Sequence, residues 1–135
     1  MTSYDLLLRQ AKLVTAPDSS SVDIGILDGL IVEIAEAING DASMELNIDG
    51  KLVSPPFVES HIHLDSALTA GTPRWNQSGT LFEGIQIWSE RKQNLSLEDI
   101  KARAIETLKQ QAEYGILFVR THADVSEPSL IALQG

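Results

Sequence analysis

Pro55-Pro56-Phe57-Val58-Glu59-Ser60-His61-Ile62-His63-Leu64-Asp65 decides the reading of this chain. The proline pair punctuates the sequence, and residues 57–64 beyond it read as a strand. Side chains two apart on a strand share a face, so Phe57, Glu59, His61, His63 and Asp65 fall together. Val58, Ser60, Ile62 and Leu64 form the opposite face, which is apolar enough to pack under helices. His61 and His63 stand ~6–7 Å apart along such a strand. Both ring nitrogens can therefore converge on one ion with bonds of ~2.0–2.1 Å. Two histidines at that spacing also arise by chance; the strand, the polar end of its face, Asp65 and the loop that follows favour a metal site. Imidazole suits zinc and iron. The chain has no cysteine, so any ion must be held by His, Asp or Glu.

Upstream, the first 54 residues read as short strands and tight turns. Asp5–Arg9 and Lys12–Thr15 are predicted strands, and Pro17 with the serines at 19–21 breaks the chain. Val22, Ile24 and Ile26 alternate with Asp23 and Gly25, the period of a half-buried strand. Asp28-Gly29 then turns into the apolar run Leu30–Ile34, a hairpin signal. A second pair, Asp49-Gly50, lies between Leu46–Ile48 and Leu52–Val53. These elements predict part of a small β-sandwich.

Downstream, Asp65–Gly79 is a long polar loop, of a length that is usually functional or mobile. Thr80 with Glu83 forms a capping box, and Leu81, Ile85 and Trp88 give the apolar face of a first helix, with Trp88 read as core. Ser96 caps a second helix with Glu98 and Asp99 in its first turn. Ile100, Ala104, Leu108 and Ala112 form its stripe, and Gly115 its C-terminal stop. A strand over Ile116–Val125 follows, and Pro128 suits the first turn of a third helix. Strand, two helices, strand and a further helix imply parallel strands joined by crossovers. The fold class is α/β: residues 1–54 supply strands of an N-terminal β-sandwich, and residues 55–135 the start of a (β/α)8 barrel. A complete barrel needs roughly 250 residues, against 135 here, so the chain reads as a fragment.

Net charge is −9, from 10 basic and 19 acidic residues. That balance argues against nucleic acid, which demands a basic face, and against docking on anionic membranes. The N-terminus has no basic signal-peptide region, and no apolar run reaches the ~18 residues of a membrane span, so a cytoplasmic protein is expected.

The second strand repeats the design of the first. Ile116, Phe118, Arg120, His122 and Asp124 share one face, with His122 and Asp124 near its end. These two either support the metal or substrate, or form a satisfied structural pair. Glu59 and Arg120 fall on the interior face, where neither charge is tolerated alone, so they are expected to pair. In the loop, Trp75, Asn76, Gln77 and Ser78 are candidates to line a pocket, with an aromatic face for a planar ring and amides for its polar edge. Trp75 serves equally well as a loop anchor.

The run at 55–65 resembles the first barrel strand of bacterial cytosine deaminases, members of the metal-dependent amidohydrolase superfamily. Trp75-Asn76-Gln77-Ser78-Gly79-Thr80-Leu81-Phe82-Glu83-Gly84-Ile85 resembles their following loop and helix, and Val119-Arg120-Thr121-His122-Ala123-Asp124-Val125 their second strand. The histidine pair is shared across the superfamily; the 75–85 run is far narrower. The resemblance implies one divalent ion, iron or zinc, with His61 and His63 as two ligands and a later His and Asp completing the set. It implies hydrolytic deamination of cytosine or a related aminated pyrimidine, with backbone near Leu81 in the substrate pocket. The general base would lie beyond Gly135, leaving no catalytic base in this chain. The 135-residue piece is therefore expected to be inactive alone, and the full-length protein to be a homo-oligomer. The rivals are an amidohydrolase of another cyclic amide or heterocycle, or a non-catalytic truncated product.

Overall fold

A computed structural model describes residues 3–16 and 20–135; the expected break at Pro17 and Ser19 lies outside them. The chain divides into two compact units, Met1–Pro55 and Pro56–Gly135.

In the first unit, β1 (Ser3–Leu13), β2 (Val22–Leu27), β3 (Leu30–Ala35), β4 (Asp41–Asn47) and β5 (Leu52–Val53) form one sheet. Its order is β3-β2-β1-β4, with β5 also against β1. The β2–β3 hairpin turns at Asp28-Gly29, where φ is 51° and 74°. Both central residues of a type I′ turn need positive φ, which Asp tolerates and Gly favours. The two strands predicted before residue 16 are one strand, bent at Gln10 (φ 58°), where the pairing with β2 slips between Leu8 and Ala11. Asp49-Gly50 adopts the same positive φ values, yet makes no hairpin. Instead β4 and β5 run parallel to β1 in succession. The Gly50 N–H donates to the Gln10 carbonyl at 2.8 Å, so the turn in one strand matches the bend in the other.

Tyr4, Leu7 and Ile38 form the core of this unit, with Ala35 and Ala42 packed on it. β2 is covered on both faces rather than half-buried. Asp23 is buried because Arg9 Nη1 (2.7 Å) and the N–H groups of Ile38 (3.1 Å) and Gln10 (3.2 Å) all donate to its carboxylate. The Tyr4 ring lies directly against Gly25, where a Cβ would stand 2.6 Å from a ring carbon.

In the second unit, β6 (Phe57–Ile62) and β7 (Ile116–Thr121) pair in parallel. Two helices connect them: α1 (Leu81–Lys92) and α2 (Leu97–Glu113). Each start is capped as its sequence predicts: Thr80 Oγ1 accepts from the Glu83 N–H at 3.3 Å, and Ser96 Oγ from the Asp99 N–H at 3.1 Å. Gly115 ends the second helix at φ 81°, its N–H donating to the Ala112 carbonyl. Both strands stop short of their predicted ends. Past Ile62 the ladder passes to side chains, with the Leu64 N–H donating to Thr121 Oγ1 at 3.2 Å.

The helical faces differ from their patterns. Among its residues α1 buries none: Leu81 and Ile85 are exposed, and Trp88 is only half-buried. α2 buries Ile100 and Thr107, while Leu108 and Ala112 face solvent. A short α3 (Ile131–Gln134) begins three residues after Pro128. A turn intervenes, with the Leu130 N–H on the Glu127 carbonyl and Leu130 at φ 53°.

Candidate metal centre

The parallel register aligns Ile62 with Thr121, and the His122 N–H donates to the Ile62 carbonyl at 2.8 Å. The end of β6 and the residues just past both strands are thereby brought side by side, and three imidazoles meet. The ring centres of His61 and His63 are 5.5 Å apart, tilted by 57°. His122 stacks on His61 at 4.2 Å and lies 5.6 Å from His63.

Two imidazoles sharing an ion through nitrogens ~2.1 Å from it have ring centres ~5–6 Å apart. His61 with His63, at 5.5 Å, and His63 with His122, at 5.6 Å, both fall in that range, whereas the stacked His61 and His122 do not. Among the described residues no group of three or more His, Asp or Glu is arranged to hold an ion. The described residues therefore bring imidazoles together without forming a closed site.

Asp65 is 3% exposed. Its Oδ2 accepts from the Asp124 N–H at 2.8 Å, tying the end of β6 to the end of β7. Its Oδ1 is buried without a hydrogen-bond partner and lies 3.8 Å from His63 Nδ1. Asp124 is in turn a hub: Trp88 Nε1 (2.7 Å) and Lys92 Nζ (3.0 Å) donate to Oδ2, and the Ser126 N–H (2.8 Å) to Oδ1. The Ser126 hydroxyl and N–H, then Trp88 and Lys92, hold this carboxyl well below the usual range against the opposing effect of its burial. His122 does not join it as a satisfied pair, for its Nδ1 is buried and unpartnered. Burial, then the nearby rings and Arg120, depresses its pKa.

Trp88 and Lys92 escaped the sequence reading as supports, although they sit one turn apart on α1; no local pattern reveals a partner 36 residues away. Glu59 and Arg120 do not pair. β7 aligns Val119, not Arg120, with Glu59, whose carboxylate instead accepts the His61 N–H at 2.8 Å; Arg120 is exposed.

His63, Asp65, Trp88 and Asp124 line one open pocket, and Gly71, Trp75, Asn76 and Trp88 a neighbouring one. Trp88 stands between the two. Asn76 is occupied with its own loop, donating to the Thr80 carbonyl (2.9 Å) and accepting from the Gly79 N–H (2.8 Å). Trp75 packs against the Gly71 backbone, Gln77 is exposed, and Leu81 is 75% exposed; Gln77 and Leu81 line neither pocket.

A histidine pair leaving a strand of a parallel β-α-α-β unit defines a class, and the comparison bears it out: the profile of the amidohydrolase family matches residues 45–135. The chain belongs to this metal-dependent family. It is similar to 5-methylcytosine deaminase from Klebsiella pneumoniae, solved with phosphonocytosine, at 45% identity and a TM-score of 0.83. That match covers 95% of this chain and 31% of the other. It is also 35% identical to N-isopropylammelide isopropyl amidohydrolase of Pseudomonas sp. strain ADP, over 90% of this chain and 31% of that protein. An allantoinase of Desulfitobacterium hafniense strain Y51 is 36% identical over 59% of this chain and 17% of its own length. The chain thus spans about a third of the length of that deaminase and of that ammelide hydrolase. No helix among the described residues is long and apolar enough to cross a membrane.

Proposed function

We propose that this chain is the N-terminal part of a hydrolase that deaminates cytosine or a closely related aminated pyrimidine. The likeness to 5-methylcytosine deaminase, 45% identical over 95% of the chain, carries the proposal. On this reading residues 1–54 are strands of a β-sandwich domain, and residues 55–135 open a (β/α)8 barrel with its site at the strands' C-terminal ends. The complete protein is a cytoplasmic homo-oligomer.

His61 and His63 would be the first two ligands of one divalent ion, iron or zinc, which would supply a water of lowered pKa as the nucleophile for the amidine carbon. This chain's own part is placement. The register of β6 and β7 sets the histidines at the strand ends, and Asp65 and Asp124 hold the two ends together. Asn76 and the Thr80 cap fix the loop that carries Trp75 and Gln77 and leads into Leu81, residues that this reading assigns to the substrate. The general base comes from beyond Gly135.

Relatives named for N-isopropylammelide and allantoin favour a second reading, a hydrolase of another cyclic amide or heterocycle. The complete protein should release ammonia from cytosine or 5-methylcytosine faster than it turns over N-isopropylammelide or allantoin. The reverse ranking moves the assignment to the second reading. His61→Ala and His63→Ala should each strip the metal and lower activity beyond the ~10–100-fold typical of losing a ligand's supporting partner. Unchanged metal content in both variants rejects the ligand assignment.

A further inference from the structure

A buried carboxylate oxygen without a donor is costly, because desolvation is not offset by any hydrogen bond. Asp65 Oδ1 is in that position, in a side chain only 2% exposed, with His63 Nδ1 3.8 Å away. That separation is too long for a hydrogen bond. The other oxygen is committed, since it accepts the Asp124 N–H at 2.8 Å. The carboxylate is therefore anchored from one side, whereas the His63 side chain is nearly half exposed.

We propose that Asp65 is the positioning residue for His63: in the metal-loaded protein the imidazole turns to donate Nδ1–H to Asp65 Oδ1, which directs Nε2 to the ion. A neutral imidazole carries one N–H, and fixing it on Nδ1 leaves the lone pair on Nε2. The same contact supplies the donor that the buried oxygen lacks. Asp65 thus couples the two strand ends to the choice of ligating nitrogen. The inference rests on the reading of His63 as a ligand.

Long-range 1H–15N spectra of the complete protein loaded with zinc test it. His63 should carry its proton on Nδ1, with the metal-induced shift on Nε2. Ligation through Nδ1 overturns the role of Asp65 while leaving His63 a ligand. No metal-induced shift on either nitrogen overturns the ligand reading and this inference with it. Asp65→Asn supplies the second arm. Its amide oxygen must stay on the Asp124 N–H, which turns the NH2 group toward His63 Nδ1 and favours the wrong tautomer. Zinc affinity, measured by chelator competition, should fall ~10–100-fold. A folded Asp65→Asn protein with wild-type affinity refutes the proposal. Should that variant fail to fold, the wild-type spectrum still decides.

Discussion

At single residues, the burial of apparently polar or minimal side chains is what the pattern of apolar residues misses. Gly25 occupies a strand position that alternation assigns to solvent, yet the Tyr4 ring, 2% exposed, rests on it. Gly25→Ala would force a Cβ to 2.6 Å from that ring, with the ring locked by the core around it. Overpacking of this kind costs about 1–3 kcal/mol. Denaturant titration should find a loss in that range, and Tyr4→Leu in the same background should recover part of it. Equal stability of Gly25→Ala and wild type would mean the ring is not seated there. Asp23 teaches the same lesson with charge: its partner Arg9 sits on the neighbouring strand, and nothing in the local sequence announces the pair.

At the scale of elements, capping chemistry was legible because it is local. Thr80, Ser96 and Gly115 terminate helices where their residue types require. The parallel β6–β7 pair was legible too, since two intervening helices permit no hairpin. The exact register was not, and register decides which side chains meet: it separates Glu59 from Arg120 and gathers His122 onto His61. The loop before α1 carries a further network invisible to periodicity. Glu83, beyond accepting its place in the cap, takes the Ser78 hydroxyl (2.6 Å) and N–H (2.7 Å) on one oxygen and Arg74 (2.8 Å) on the other. Ser78 foremost, then the Gln77 N–H and Arg74, lower its pKa from 4.5 to about 2. With the folded value depressed, the unfolded chain takes up the proton first as pH falls. The contribution is full above pH 4.5 and fades as pH drops through 2. Glu83→Gln should therefore flatten the acid limb of the stability curve in that window and speed amide exchange over residues 74–80. An acid limb identical to wild type would show that the network does not hold the loop.

For the whole molecule, the two units differ in how far their own residues satisfy them. In the first, a five-stranded sheet closes around Tyr4, Leu7 and Ile38. In the second, the paired strands leave Phe57, Val58, Leu117 and Phe118 each more than 60% exposed, and α1 buries nothing. Open parallel edges and uncovered apolar faces are unstable in water. On the proposed reading the same incompleteness holds for the chemistry, since catalytic zinc sites commonly take three protein ligands and His61 with His63 would supply two. Relatives three times as long have room for further donors, a general base and covering strands. The 135 residues expressed alone should release no ammonia from cytosine and lose zinc to a mild chelator, whereas the complete protein should retain both metal and activity. Metal analysis after gel filtration and a coupled ammonia assay measure the two. Turnover by the isolated chain at a rate near that of the complete protein would place a third ligand and a base among residues 1–135, and would overturn the reading that the set is completed beyond them.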